Sequence, residues 1–477
     1  MGLQVEVTLG SFYKKSFLLR CEYDLSRYQS LVANFLAHPK MSIVRRIKIN
    51  AGIGMIGGVV VILAAMGKAV ILGRYLDLES FGYYVICLNV VSIIKLILSI
   101  GFEPTLLRFI PEFEAEKADH KVASLLVLLI YIASVISLLT IGLVFFGSDW
   151  AAETVYANPN LASSFKIMGF ATCAHLFSGI SVGLLRLSNK FHLAQIPPIV
   201  GGITIPLLLV YLEINGGLKL ESAIIATAIG EALTILLFLI LMVLCTRSFW
   251  SFGGRILSLQ PLRGHFGGLR NTLGQTSLFG ILNGGSEVGG VFLLGIFGSK
   301  TQVALAGMAV SLSRPLTVLQ SSLGSAVNPE VSRLYARGEI ANLLIFLRRY
   351  IRTIGLLVCA GILVVPILGP WCINFLLRPA YLDALPVFMV LVISYGLTLV
   401  FQPFLAVAIM RGEVGRRNIL VSFRFIYLGI AVYLGINAMA IALVLLIGNL
   451  SVRFLNDLPL YKRLKKLADH PKNLQAV

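Results

Sequence analysis

Apolar residues run through this chain in blocks about twenty long, divided by short polar turns, from residue 50 to residue 456. A helix rises about 1.5 Å per residue, so about 20 apolar residues cross the roughly 30 Å of a bilayer's hydrocarbon. The blocks predict helical spans near 50–73, 81–103, 122–146, 163–187, 196–213, 222–246, 271–297, 302–326, 350–377, 385–410, 419–435 and 438–456. The predicted fold class is therefore an all-α polytopic membrane protein with about twelve transmembrane helices. No long polar block separates the spans, which leaves no room for a soluble domain between them.

Composition agrees with that reading. Hydrophobic residues make up 57% of the 477, charged residues 13%, and mean hydropathy is +0.88. A soluble chain carries roughly 25% charged residues and could not hide this much apolar surface. Residues 1–49 show no early apolar core followed by a small-residue cleavage site, so they read as a basic cytosolic leader. The six cysteines are scattered without metal or redox spacing and read as small core residues.

The net charge of +18 could suggest nucleic acid, but its placement argues against that partner. With the N-terminus placed in the cytosol, the inner side receives the leader cations, Arg108, Lys117, Lys121, Arg186 and Lys190. It also receives the arginines of 247–270, 333–352 and 411–417, and the basic tail beyond 456. Outer loops receive only Arg74, Lys219, Lys300 and Arg378, and the loop 147–162 has no cation. This is the positive-inside asymmetry, and it predicts both termini in the cytosol. The excess charge is then mainly an orientation signal with some attraction to anionic lipid.

The inner loop 247–270, rich in Gly and Arg, falls near the midpoint and separates six spans from six. A weak repeat crosses it. Leu72-Gly73, Lys95 and Pro111-Glu112 in the first half correspond to Leu294-Gly295, Arg314 and Pro329-Glu330 in the second. The step from cation to Pro-Glu is 16 residues in one half and 15 in the other. Two similarly oriented six-helix halves are a common plan for alternating-access transporters, with a site at the midplane between them. The expected organisation is a leader (1–49), an N-terminal six-helix bundle (50–246), a cytosolic linker (247–270), a C-terminal six-helix bundle (271–456) and a basic cytosolic tail (457–477).

The run LGRYLDLESFGYYVICLNVVSIIKLILSIGFEPTLLRFIPEF (72–113) resembles the opening of polysaccharide flippases of the multidrug/oligosaccharidyl-lipid/polysaccharide (MOP) exporter superfamily. Its Leu-Gly-Arg, Phe-Gly-Tyr and Arg-Phe-Ile-Pro-Glu elements carry the likeness. NPEVSRLYARGE (328–339), RPAYLDALPVFMVLVISY (378–395) and Met410-Arg411-Gly412 resemble the second-half segments of that family, so the resemblance covers about residues 50–456. It implies two bundles around a cavity, as in MATE-like proteins. It also implies a flippase for lipid-linked oligosaccharide, commonly on undecaprenyl pyrophosphate, in a bacterial cytoplasmic membrane, with a polymerase or glycosyltransferases as possible partners. The long leader departs from the family pattern.

Charges inside the spans are the candidate chemistry. An intramembrane cation costs roughly 2.5–3.5 kcal/mol on insertion scales, so it should face water, a partner or a ligand. Lys95 lies about eight residues, or about 12 Å, from the inner end of its expected span. It either faces a cavity or snorkels inward. Arg314 sits near the midplane of span eight, before the helix-disturbing Pro315, and can pair with Glu287 of span seven or grip phosphate oxygens bidentately. Lys68 either snorkels outward or joins Arg314 and Lys95 on a pyrophosphate. Glu231 and Glu287 are candidate counter-ions or sites for H+ or Na+ coupling, with the counter-ion reading ahead for Glu231. Lys166 and Arg424 read as interfacial anchors at span margins, and His175 and His192 as lone residues without ligand partners. No cofactor or metal is expected. The GxG patterns at 52–58 and 283–290 lack the Lys-Ser/Thr of a phosphate loop, so ATP held by this chain is not the energy source.

Three functions compete. A flippase for an anionic lipid-linked sugar predicts cations in the cavity. A multidrug antiporter for organic cations predicts acidic or aromatic side chains there. A membrane glycosyltransferase or polymerase would need a sizeable outer loop with carboxylates and histidine, and the largest outer loop offers only Asp149 and Glu153. Deep cations favour the flippase.

Overall fold

The computed structural model describes residues 43–97, 101–116, 118–188, 190–250, 260–336, 338–410 and 414–469. Most of the expected leader (1–49), part of the linker (251–259) and the end of the tail (470–477) lie outside the described residues. The contacts that follow lie within the compact unit Ile53–Val477.

Helices account for the described chain, and no strand occurs among the described residues. In chain order they are α1 (Ile43–Tyr75), α2 (Leu78–Ile97), α3 (Phe102–Ala115), α4 (Asp119–Trp150), α5 (Leu161–Thr172), α6 (Leu176–Leu187), α7 (Phe191–Gly216) and α8 (Leu220–Trp250). The second half continues with α9 (Phe266–Phe297), α10 (Lys300–Ala336), α11 (Ile340–Leu376), α12 (Ala384–Val400), α13 (Pro403–Met410), α14 (Val414–Tyr433), α15 (Ala438–Val452) and α16 (Leu458–Asp469). Ten helical stretches are long and apolar enough to cross a membrane, or eleven if the bent pair Phe266–Leu282 and Gly284–Phe297 counts as one span. The span expected at 419–435 is not among them. It falls in α14, which is helical but carries Arg416, Arg417 and Arg424.

Besides the bend in α9, two further spans are interrupted. A 3-10 turn, Cys173–His175, divides α5 from α6. Residues 401–402 divide α12 from α13, where Pro403 has no N–H to continue the ladder. Both breaks fall in the fourth expected span of their half, a correspondence the sequence repeat did not reveal. Non-helical backbone at membrane depth persists only where it is buried in protein or lines water.

Three larger cores show how the halves sit together. The largest draws on both halves, uniting Leu72, Phe81, Tyr84 and Val85 with Met308, Leu377, Tyr381 and Leu445. It lies toward the ends joined by the turns 75–78, 297–300 and 376–384, named the outer end after the side that the cation pattern assigns to it. Toward the opposite, inner end the cores separate. One gathers Phe102, Phe113, Leu125, Leu184 and Leu269 on α3, α4, α6 and α9. The other gathers Val331, Leu343, Leu347, Phe404 and Leu464 on α10, α11, α13 and α16. They share no helix, but the halves still touch here: Leu269 on α9 belongs to the first of these cores, and Arg108 on α3 donates to Thr272 on α9 at 2.8 Å.

Small residues make the outer closure possible. A side chain at Gly82 on α2 would strike the Lys300 backbone carbonyl, and one at Gly307 on α10 would strike Val85. Polar contacts add to the apolar ones. Lys300 Nζ lies 3.2 Å from Glu79 and 4.5 Å from the centre of the Tyr83 ring. Arg378 donates to the carbonyls of Arg74 and Tyr75 at 2.9 and 3.2 Å, capping the last turn of α1. Gly82→Ala therefore forces α2 and α10 apart at a backbone contact that cannot rotate away. It should cost about 1–3 kcal/mol, read as a lower melting temperature in detergent.

Asp77 caps α2 by accepting from the Ser80 N–H at 3.0 Å. The Ser80 hydroxyl and then its N–H hold the Asp77 carboxyl below the usual carboxylate range. Its folded pKa is depressed, so its stabilisation is present above about pH 4, the unfolded value, and is lost as pH falls through the folded one. Asp77→Ala should cost about 1 kcal/mol at neutral pH. The difference from wild type in thermal melting should shrink below about pH 4.

Candidate functional site

Lys68 lies on α1, about 10 Å below the outer end of that helix. Lys95 closes the last turn of α2, Glu231 sits a third of the way along α8, and Arg314 lies fourteen residues into α10. Packing brings the four together, and Lys68 is in electrostatic contact with Arg314, Glu231 and Lys95. Lys95 Nζ lies 2.8 Å from Glu231 Oε2, with the two side chains 22% and 28% exposed. Glu231 is thus the partner of Lys95. The span carrying Lys95 is shorter than expected, since α2 stops at Ile97. The lysine still keeps its carboxylate deep in α8 and does not snorkel toward headgroups.

Lys68 and Arg314 have no ion-pair partner within 4.0 Å among the described residues. Lys68 is half-buried and faces the other charges, which overturns the expectation that it snorkels outward. Arg314 is exposed, although its electrostatic neighbours lie on α1, on α2 (Tyr84) and on α12 (Tyr395). Its exposed side chain is thus flanked by residues of both halves. Around the cluster the Tyr84 hydroxyl shares a 2.9 Å hydrogen bond with Thr227. His175, carried on the break between α5 and α6, is in electrostatic contact with Lys95 and Glu231. The sequence offered no spacing that would find His175, since its neighbours come from other spans.

Glu287 does not pair with Arg314. On α9 it is half-buried and in electrostatic contact with Tyr395 and Arg424. The Tyr395 hydroxyl is buried beside the Glu287 carboxylate. Arg424 is no interfacial anchor. It is half-buried between α9 and α15, donating to Asn449 Oδ1 at 2.6 Å and to Ser286 at 3.4 Å, and its stem packs against Gly448. Lys166 is a marginal residue, held by Asp149 at 2.7 Å. Farther inward, Arg417 and Arg453 both contact Asp457, which is fully buried.

Among the described residues one trio has metal-ligand spacing, Glu112, Glu116 and His265, whose ligand atoms lie within 4.8 Å of one another. Lys121 already sits 2.6 Å from Glu116, so the trio is an ion-pair cluster at the inner surface, apart from the midplane charges.

The model of the polysaccharide biosynthesis protein family matches residues 47–334, more than half of the chain. The chain belongs to that family. Its helical architecture is that of the MOP superfamily, as three solved structures show. The chain is similar to the lipid II flippase MurJ in an inward closed conformation, with 15% identity over 84% of this chain and 86% of that one and a TM-score of 0.64. It is similar to a multidrug resistance MATE family transporter in an inward-facing conformation, with 17% identity, 90% and 96% coverage and a TM-score of 0.60. A MOP superfamily transporter from Pyrococcus furiosus, described as having a binding pocket of reverse polarity, matches with 15% identity, 89% and 96% coverage and a TM-score of 0.61. No curated protein sequence matches the chain. For this member of the polysaccharide biosynthesis family the midplane charges are the feature that fold alone does not supply.

The Lys95–Glu231 pair should behave as a coupled unit. Glu231→Gln or Lys95→Met alone leaves one charge unpaired in a half-buried site, at a cost of about 1–3 kcal/mol. The double variant should lose clearly less than the sum of the two singles, measured by thermal unfolding in detergent.

Proposed function

We propose that this protein is a flippase that carries a lipid-linked oligosaccharide, on a polyprenyl pyrophosphate carrier, from the cytosolic to the outer leaflet. The observation that carries this reading is the charge balance at the midplane. Lys68, Lys95 and Arg314 face one carboxylate, Glu231, and two of the three cations lack an ion partner among the described residues. Such an excess of positive charge in a low-dielectric setting favours an anion, and a pyrophosphate supplies at least two negative charges with oxygens that a guanidinium can grip bidentately. The same excess repels the organic cations of a multidrug antiporter. Family membership supports a role in polysaccharide export, and the MOP fold supports alternating access.

In this reading the headgroup enters from the cytosol between the two inner cores while the polyprenyl tail stays in lipid. Lys68 and Arg314 take the pyrophosphate, and Lys95 is held ready by Glu231, with His175 beside the pair. Rocking of the halves then separates the outer core and its Lys300–Glu79 and Arg378 contacts while the inner cores meet. Glu287 remains a candidate for H+ or Na+ coupling. The voltage across the membrane can also drive a net negative headgroup outward.

Arg314→Ala, and Lys68→Ala with it, should reduce surface polysaccharide export more than tenfold in a strain lacking its own flippase, at unchanged membrane levels of the protein. Arg314→Lys should retain part of the activity, because an ammonium keeps the charge but not the bidentate geometry. Full export by the Lys68→Ala/Arg314→Ala protein would remove the pyrophosphate grip.

A further inference from the structure

Inward of Arg314 the character of α10 changes from charge to amides. Gln320, Gly324 and Asn328 recur every four residues and so share one face of the helix. That face meets the break between α12 and α13, where Gln402 sits. Gln320 Nε2 donates to Gln402 Oε1 at 3.2 Å. Gly324 lets the two segments approach: a Cβ there would lie 2.7 Å from Gln402 Nε2 and 3.6 Å from Asn328 Nδ2. Gln402 is only 7% exposed, in a chain segment interrupted at membrane depth.

Hydrogen-bonding capacity in this cluster is left over. Among the described residues Gln402 Nε2 and Gln320 Oε1 have no further partner, and Asn328 Oδ1 is buried with none at all. An amide offers two donors and a carbonyl acceptor, and leaving a buried one unmade costs about 1–3 kcal/mol. Asn328 Oδ1 is sealed from solvent, whereas Gln402 Nε2 and Gln320 Oε1 are not and stay accessible to a ligand. Surplus donors and acceptors of neutral charge, arranged side by side, suit sugar hydroxyls and acetamido groups, which present the same mixture. The two helix breaks also divide the labour. The first-half break carries His175 to the charges, and the second-half break carries Gln402 to the amides. Interrupted segments at corresponding positions of two halves are where such folds build their binding sites.

We propose that Gln320, Gln402 and Asn328 form a subsite for uncharged sugar units of the headgroup, about 10–20 Å inward of the Arg314 pyrophosphate grip along α10. This rests on the flippase reading and extends it from the carrier's phosphates to its sugars. A headgroup that enters from the inner end then lies along α10 with pyrophosphate deepest and sugars trailing toward the cytosol. The carrier is recognised by charge and the sugar by amides, so selectivity among oligosaccharides resides in the second half.

Full-length protein in detergent, titrated with two probes, separates the two claims. One probe is undecaprenyl pyrophosphate without sugar. The other is the same carrier bearing the oligosaccharide extracted from a strain that accumulates it. Wild type should prefer the sugar-bearing carrier by about tenfold, the contribution of one or two net hydrogen bonds. Gln320→Leu/Gln402→Leu should lose that preference while binding the bare carrier as wild type does, which also shows that the variant is folded. Gly324→Ala, which displaces the Gln402 amide and removes no polar group, should weaken the preference in the same direction. Arg314→Ala should weaken both probes equally. A double glutamine variant that keeps the full preference overturns the subsite and leaves the pyrophosphate grip standing. Wild type that binds neither probe overturns the flippase reading, and the subsite with it.

Discussion

Positive charge that is not balanced locally is the constraint on which this structure turns. Hydrocarbon cannot solvate a guanidinium or an ammonium, so a cation at membrane depth needs a carboxylate, water or a ligand. The protein supplies a carboxylate to Lys95 and withholds one from Lys68 and Arg314. Arg314 is exposed, so its charge is not sealed in a dry interior. A fully packed bundle would have to neutralise or expel the same residues.

The outer end shows the complementary design. Gly82 and Gly307 bring α2 and α10 together closely, and a single core joins both halves. The polar contacts of Lys300 and Arg378 sit at the rim, where water can replace them at little cost when they break. Strong, dry packing at this end would lock the unit closed. The outer interface is an apolar core edged by polar contacts at the rim. At the inner end two separate cores pack the remaining helices, with Leu269 of α9 in the core of α3, α4 and α6.

Within the second half, charge is managed differently. Arg424 is clasped by Asn449 and Ser286 and lies in the field of Glu287, while Arg417 and Arg453 share Asp457. Satisfied groups of this kind fix helix positions, because losing one partner strands the other. Lys68 and Arg314, by contrast, have no ion-pair partner within 4.0 Å among the described residues.

The sequence by itself determined the all-helical membrane class and about twelve apolar blocks, where ten or eleven helical stretches are long and apolar enough to cross a membrane. These depend on local runs of apolar residues and on where single charges interrupt them, and both are written in neighbouring positions. Only the tertiary structure decided the partners. Glu231 meets Lys95 across 136 residues, His175 joins them from a helix break, Arg424 turns out to be a core residue, and Gln402 meets Gln320 across 82. Periodicity reports which face of a helix avoids lipid. It carries no information on which other helix that face will meet, because that choice is made by packing over the whole bundle.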